Sequence, residues 1–266
     1  MTTLPLTSML LPARSRPLRL VERNVYVYRH TWLVLLSGFF EPLFYLLSIG
    51  FGLGVLIGTV PGPNGEPIPY QLFVAPALLA SAAMNGAINE STFNFYFKLN
   101  YNKTFAAILA TPLGAGDIAI GELTWALIRG GLYAIGFVGV MLLFGLFVSP
   151  WVILAFPAAL LVGFAFGAVG MAATSFMRSW QDFDLIQLVI LPLFLFSATF
   201  YPIETYPPVL QLIVRLTPLY QGVDLIRSLT VGAISPALLI HVAYLTIMGS
   251  VGLFVVSRRL DRLLLR

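Results

Sequence analysis

At 266 residues, 59% hydrophobic and only 10% charged, with a mean hydropathy of +0.91, this chain carries too little polar surface for a soluble domain. Fifteen Lys and Arg against eleven Asp and Glu leave a net charge of +4, which reflects membrane topology: a nucleic-acid role would need a basic surface outside the membrane, and none is expected. Cysteine is absent, which removes disulfide frameworks and thiolate metal sites.

In chain order, the first predicted element is a helix over 17–30. Pro17 suits a helix start, and Leu18, Val21, Val25, Tyr28 and Trp32 recur at three- and four-residue steps, with Arg19, Glu22, Arg23 and Arg29 on other faces. That pattern fits a helix lying in the membrane interface; the plainer alternative is a basic anchor that only sets topology. Six apolar stretches follow, at about 32–59, 71–95, 118–147, 152–177, 185–200 and 236–257. Each approaches or exceeds the ~20 residues a helix needs to cross a bilayer, the fifth only if Ile203 or its neighbours are included. Backbone amides in lipid must be satisfied within their segment, so the spans are helices. The expectation is an all-α integral membrane protein, a single domain over 1–266 with six transmembrane helices. The first apolar run is too long for a signal-peptide core, and no small-residue cleavage site follows it.

Orientation follows from charge. Arg14, Arg16, Arg19, Arg23 and Arg29 precede the first span, Lys98 and Lys103 lie between the second and third, and Arg178 follows the fourth. Arg258, Arg259, Arg262 and Arg266 close the chain. These twelve share one side, whereas only Arg215 and Arg227 fall in the opposite loops and Arg129 within the third span. The positive-inside rule then makes both termini cytoplasmic.

The loops differ in character. The outer loop at 60–70 holds Pro61, Gly62, Pro63, Asn64, Gly65, Pro67 and Pro69 and reads as an irregular connection. Between the second and third spans, Tyr101, Phe105, Ile108 and Leu109 fall at helical spacing among polar Lys98, Asn100, Asn102 and Lys103, and Pro112 and Gly114 close the segment. This is a short helix across the cytoplasmic mouth, either presenting its apolar face to a partner or resting on lipid headgroups. The last outer loop contains two apolar stretches, 207–216 and 219–231, split by Thr217-Pro218. Stretches of ~10–14 apolar residues suggest re-entrant or interfacial helices, so the loop is read as a hairpin dipping back over a pathway or floating on the outer leaflet. Asp224 and Arg227, three apart, can pair on one face.

Four charges fall inside the spans: Glu41, Glu90, Glu122 and Arg129. Glu90 and Glu122 lie close to the cytoplasmic ends, within reach of water. Glu41 and Arg129 lie about ten and eleven residues in, roughly 15 Å deep. Intramembrane charges are costly and tend to pair, so Glu41 and Arg129 form a candidate bridge between the first and third spans; a substrate or proton site is the functional alternative. Gly163 and Gly167, four apart, permit close helix approach within one subunit or between two. Lone His30 and His241 carry no catalytic pattern. No nucleophile elbow, no metal-binding His-Glu-x-x-His, no Asp-rich cluster and no phosphate-binding loop is present, so the chain is not read as an enzyme.

The stretch 110–129, Ala-Thr-Pro-Leu-Gly-Ala-Gly-Asp-Ile-Ala-Ile-Gly-Glu-Leu-Thr-Trp-Ala-Leu-Ile-Arg, resembles the segment leading into the third span of type-2 ABC exporter permeases. So do Phe-Ser-Ala-Thr-Phe-Tyr-Pro-Ile-Glu at 196–204 and Leu-Thr-Pro-Leu-Tyr-Gln-Gly-Val-Asp-Leu-Ile-Arg at 216–227. The resemblance covers essentially the whole chain. It extends to the NodJ-like branch, named for lipo-oligosaccharide nodulation-factor export, and to the DrrB-like drug-export permeases.

The resemblance implies roles for the parts. The segment 97–113 would be the coupling helix that docks on a separate ATP-binding subunit, with Tyr101, Phe105, Ile108 and Leu109 as contacts. The helix 17–30, with Leu18, Val21, Val25 and Tyr28, would be the interface helix flanking that subunit. The hairpin 206–230 would be a re-entrant extracellular gate, with Tyr201, Tyr206, Tyr220, Asp224 and Arg227 at the exit. Two permeases, as a homodimer, and two ATP-binding subunits are implied, in a bacterial cytoplasmic (inner) membrane. No cofactor or metal is expected in this chain; ATP and Mg would belong to the partner. The cargo would be amphipathic: a glycolipid, a lipo-oligosaccharide or a hydrophobic drug. An ion- or proton-coupled secondary carrier centred on Glu41 and Arg129 is the alternative.

Overall fold

The computed structural model describes residues 16–29 and 32–264. His30, at the end of the expected interface helix, and Arg14 and Arg266, counted for topology, lie outside them. Among the described residues the protein is all-α apart from one small hairpin.

Helix α1 (Arg16–Tyr28) has Pro17 in its first turn and lays Leu20 and Asn24 against α6. Leu18 and Val25 stay exposed, and Val21 and Tyr28 are half-buried, so the face packed on the bundle is rotated from the apolar stripe. Helix α2 (Trp32–Tyr45) passes through Pro42 into a π-helical stretch, Leu46–Leu53, and then α3 (Gly54–Ile57). The loop expected to be irregular is a hairpin: β1 (Thr59–Pro61) pairs antiparallel with β2 (Pro67–Pro69), Val60 opposite Ile68. Burial of Val60 and Ile68 holds the pair together, while the prolines, unable to donate, keep the ladder short.

Helix α4 (Tyr70–Asn89) continues through π-helical segments Glu90–Asn94 and Phe97–Tyr101. Lys103, in the left-handed region, breaks the chain into α5 (Thr104–Leu109). Helix α6 (Ala115–Leu143) starts at Gly114, whose amide donates to Asp117 at 3.0 Å. A 3-10 turn, Pro150–Leu154, leads into α7 (Ala155–Thr174).

The fifth expected span is α8 (Asp182–Phe196), only 15 residues long. It does not extend to Ile203, because the chain turns at Ala198 (φ 54°) and Ile203 begins a separate 3-10 turn. Helices α9 (Pro208–Leu216) and α10 (Pro218–Val231) meet at 86°, with the Thr217 hydroxyl accepting from the Tyr220 amide at the corner. Helix α11 (Leu238–Leu264) closes the chain. Among the described residues five helical stretches are long and apolar enough to cross a membrane: Phe40–Ile57, Tyr70–Tyr101, Ala115–Leu143, Pro150–Thr174 and Leu238–Leu264; the bent α9–α10 pair brings the number to six if it is taken as one span. The molecule is an all-α integral membrane protein.

Helix α4 is the axis of the bundle, buried along most of its length among α6, α7 and α10, and α11 packs along α7. Gly163 and Gly167 face Ala87 of α4, where a Cβ on Gly167 would lie 3.5 Å from the Ala87 methyl, so their spacing serves packing within the chain. Gly121 is needed where α1 crosses α6: a Cβ there would lie 2.7 Å from Leu20 and 3.0 Å from the Pro17 carbonyl. A second apolar core at this end joins Leu20, Phe95, Phe105, Ile118 and Leu260.

Candidate functional site

The extension of α4 carries Glu90 and Lys98, and α6 carries Glu122 and Arg129, each pair about two turns apart with the acid first. The two segments meet in antiparallel register, so each of these charges meets its opposite. Arg129 Nη1 lies 2.5 Å from Glu90 Oε2, and Lys98 Nζ lies 2.6 Å from Glu122 Oε2. Lys98 is also 3.7 Å from the other Glu90 oxygen. Both carboxylates are buried, at 2% and 3% exposure, and four charges sum to zero. Such burial is tolerated only with pairing of this quality.

Neutral groups complete the network. Asn24 of α1 donates to Glu122 at 3.4 Å and accepts from Lys98 at 3.3 Å. Asn94 donates to Glu90 at 2.7 Å, and Arg129 Nε donates to the Tyr133 hydroxyl at 3.0 Å. The Arg129 guanidinium also stands 5.6 Å from the Tyr28 ring. One polar cluster therefore ties α1, the α4 extension and α6 together.

This corrects two expectations. Arg129 bridges to Glu90 rather than to Glu41, and Glu90 and Glu122 are withdrawn from water. The second span continues to Tyr101, six residues beyond the expected end at Phe95, so Glu90 lies deeper than a count from residue 95 indicates, and the same extension brings Lys98 against Glu122, which Asn24 of α1 also covers.

Glu41 instead lines a cleft between α2, α4, α6 and α8. One chamber, of about 100 Å³, is bounded by Glu41, Asn85, Asn89, Arg129 and Tyr133. A neighbouring one, of about 220 Å³, shares Glu41, Tyr45, Asn85, Asn89 and Phe194 and adds Gln187. Among the described residues the side chains of Glu41, Asn85, Asn89 and Gln187 have no hydrogen-bond or ion-pair partner.

In the 97–113 segment, Phe105 and Ile108 point inward, at 0% and 8% exposure, into the core with Leu20 and Leu260. They are intramolecular anchors and unavailable as partner contacts, because α5 is too short to bury itself without them. Leu109 is half-buried; Tyr101, Ala106, Ala107 and Thr111 form the outer surface. Next to it, Phe93, Tyr96 and Phe97 pack with Trp180 from the α7–α8 connection and Phe183 from the first turn of α8, Phe93 stacking on Phe183 at 4.3 Å. Asp182 caps that connection by accepting from the Arg178 and Ser179 amides at 2.7 and 3.1 Å, and these bonds hold its carboxyl below the usual range.

At the opposite end, α10 is buried among α4, α7 and α11, while α9 leaves Val209, Leu212, Ile213 and Leu216 exposed. Tyr206 and Tyr220 pack together with Ala198 and Ile203, and Tyr201 is exposed beside Tyr206. The expected Asp224–Arg227 pair does not form. Asp224 Oδ2 lies 3.2 Å from His241 Nε2, and His241 also contacts Gln221. Arg227 turns inward, 4% exposed, to donate to the Phe73 carbonyl at 3.1 Å and the Ala198 carbonyl at 2.8 Å over the Phe73 ring. Two residues that reasoning from sequence did not single out for this site are thus central: Lys98, read as a topology charge and as a polar residue of the loop helix, and Asn24.

The described residues thus form a bundle with membrane-length helices, a buried charge network at one end and an open polar cleft beside it. Residues 18–231 match the ABC-2 type transporter family. Nodulation protein J of Rhizobium leguminosarum bv. trifolii is 34% identical over 249 residues, 92% of each chain. Its namesake in Rhizobium meliloti (strain 1021) is 30% identical over 248 residues, again 92% of each. The inner membrane transport permease YadH of Escherichia coli (strain K12) is 24% identical over 177 residues, 66% of each. The chain belongs to the ABC-2 type transporter family and is a permease subunit, and that membership implies a transport system with an ATP-binding partner.

Proposed function

We infer that this chain is the membrane-spanning half of an ATP-driven exporter that moves an amphipathic substrate, such as a glycolipid, lipo-oligosaccharide or hydrophobic drug, out of a bacterial cytoplasm or inner leaflet. Two copies pair with two copies of a separate ATP-binding subunit, which holds ATP and Mg, in the inner membrane with both termini cytoplasmic. Helix α8 completes six spans, and α9–α10 is a re-entrant hairpin over the exit. The single domain 1–266 comprises the interface helix 17–30, the coupling segment 97–113 and the gate hairpin 206–230.

The observation that carries this reading is the charge network. A push on α1 or on the 97–113 segment cannot be absorbed locally, because Asn24, Lys98 and Glu90 are bonded to Glu122 and Arg129 of α6. Closure of the ATP-binding subunits would thus move α4 and α6 as one body and change how two bundles meet. Tyr201, Tyr206 and Tyr220 line the exit with amphipathic rings. Reconstitution of the permease with its ATP-binding partner in vesicles tests this: accumulation of a fluorescent amphiphile should require ATP and both subunits. Unpartnered Glu41 favours one second reading, a proton-coupled carrier. Transport driven by a proton gradient without ATP would select it instead.

A further inference from the structure

The cleft around Glu41 poses a physical problem. Glu41, Asn85 and Asn89 sit on helices long and apolar enough to cross a membrane, and Gln187 on α8 faces the same cleft, all with unused hydrogen-bonding capacity. Polar groups facing lipid hydrocarbon without partners are costly, so this face is not a lipid-facing surface. The flanks of the cleft are the reverse: Phe40 and Phe44 on α2, and Leu188, Leu191 and Leu195 on α8, are exposed and apolar. A polar pocket between greasy flanks matches a molecule with a polar head and an apolar chain.

Charge narrows the class of head. Arg129 is the one cation on the lining, and Glu90 neutralises it at 2.5 Å; Lys98 and Glu122 neutralise each other. Glu41 is therefore the one uncompensated charge of the cleft among the described residues. Asn85 and Asn89, one helical turn apart, offer amides on the same face and can both donate and accept. A carboxylate beside two amides suits hydroxyl or amine donors and repels a phosphate or carboxylate, since like charges at membrane depth are poorly screened.

We propose that this cleft is a headgroup site that accepts uncharged polyhydroxylated or amino-bearing headgroups and rejects anionic ones, with Glu41 as its charge-selecting residue. The proposal rests on the export reading for its biological role but not for its test, which needs neither ATP nor the partner.

The permease in lipid nanodiscs is titrated with three fluorescent probes sharing one alkyl chain and carrying a glucosyl, a primary ammonium or a phosphate headgroup, with signal from empty nanodiscs subtracted. The glucosyl and ammonium probes should bind at least about tenfold more tightly than the phosphate probe, and Glu41→Gln should bring the three within about threefold of one another. Equal affinities in the wild type overturn the proposal, as when a cation from a second copy neutralises Glu41. So does a ranking that survives Glu41→Gln. Where Glu41→Gln does not fold, Asn89→Leu, which keeps every charge, should weaken the glucosyl probe about tenfold; undiminished binding overturns the site. Loss of ATP-driven transport with the binding ranking intact would count against the export reading alone.

Discussion

Arg129 and Glu90, 39 residues apart in sequence, lie 2.5 Å apart where α6 crosses the extension of α4. The pair is one rung of a two-rung ladder whose other rung is Lys98–Glu122, and Asn24 fastens α1 to it. Removing one partner of a buried pair leaves a stranded charge, at a cost of about 3–5 kcal/mol. Glu90→Gln and Arg129→Gln should each destabilise the permease by that order, and the double variant should be milder than the sum. A double-mutant cycle on unfolding in detergent measures the coupling. Strict additivity would dismiss the rung. Glu41→Gln combined with Arg129→Gln should be additive, because those two do not pair.

Much of this architecture was legible in the sequence. Apolar runs located the long helices, and the break at Thr217-Pro218 located the bend between α9 and α10. The fifth apolar stretch forms a helix of only 15 residues, which stops before the Ile203 extension it would need to reach spanning length. Side-chain partners were harder, for a physical reason. Pairing by equal depth supposes regular helices with known ends, whereas α4 runs on through π-helical turns to Tyr101, so Glu90 lies further from the helical end than a count from Phe95 indicates and Lys98 is carried onto the same helical stretch. Helical spacing likewise marked Phe105 and Ile108 as one face of α5 but could not say what that face meets. In a six-residue helix the face goes to the chain's own core.

That distinction separates two kinds of variant in α5. Phe105→Ala should cost the permease about 3–5 kcal/mol of its own stability, since it empties a fully buried position. Ala107→Asp, on the outer surface, should leave unfolding nearly unchanged and instead reduce co-purification with the ATP-binding partner. Comparing melting in detergent with pull-down yield for both variants checks this. Equal loss of partner and unchanged melting for Phe105→Ala would place that ring at the docking surface after all.

Acid should loosen the start of α8. The Asp182 carboxyl is held low by the Arg178 and Ser179 amides, so its folded value lies below the unfolded value of about 3.9. The stabilisation is then present in full above about pH 4 and declines as pH falls through the folded value. Hydrogen exchange at Arg178 and Ser179, normalised for intrinsic rate, should be slow near neutrality and accelerate only below about pH 4. Asp182→Asn should exchange faster at neutral pH and lose that acid step. A step of the same size in Asp182→Asn would assign it to another group.

Arg227 gives the sharpest test of the end of the bundle that holds α9 and α10. Its guanidinium spans two carbonyls, Phe73 at the start of α4 and Ala198 in the turn after α8, and so pins α10 to both. A lysine cannot serve both acceptors in that planar geometry. Arg227→Lys and Arg227→Met should therefore each destabilise the fold, Arg227→Met by about 1–3 kcal/mol for each carbonyl left without a donor. Asp224→Asn should be much milder and additive with either, because Asp224 faces His241 and not Arg227. Unfolding in detergent of the single and double variants measures both effects. Strong coupling between positions 224 and 227 would restore the ion pair that their spacing suggests, and with it an α10 braced along its own face rather than to α4.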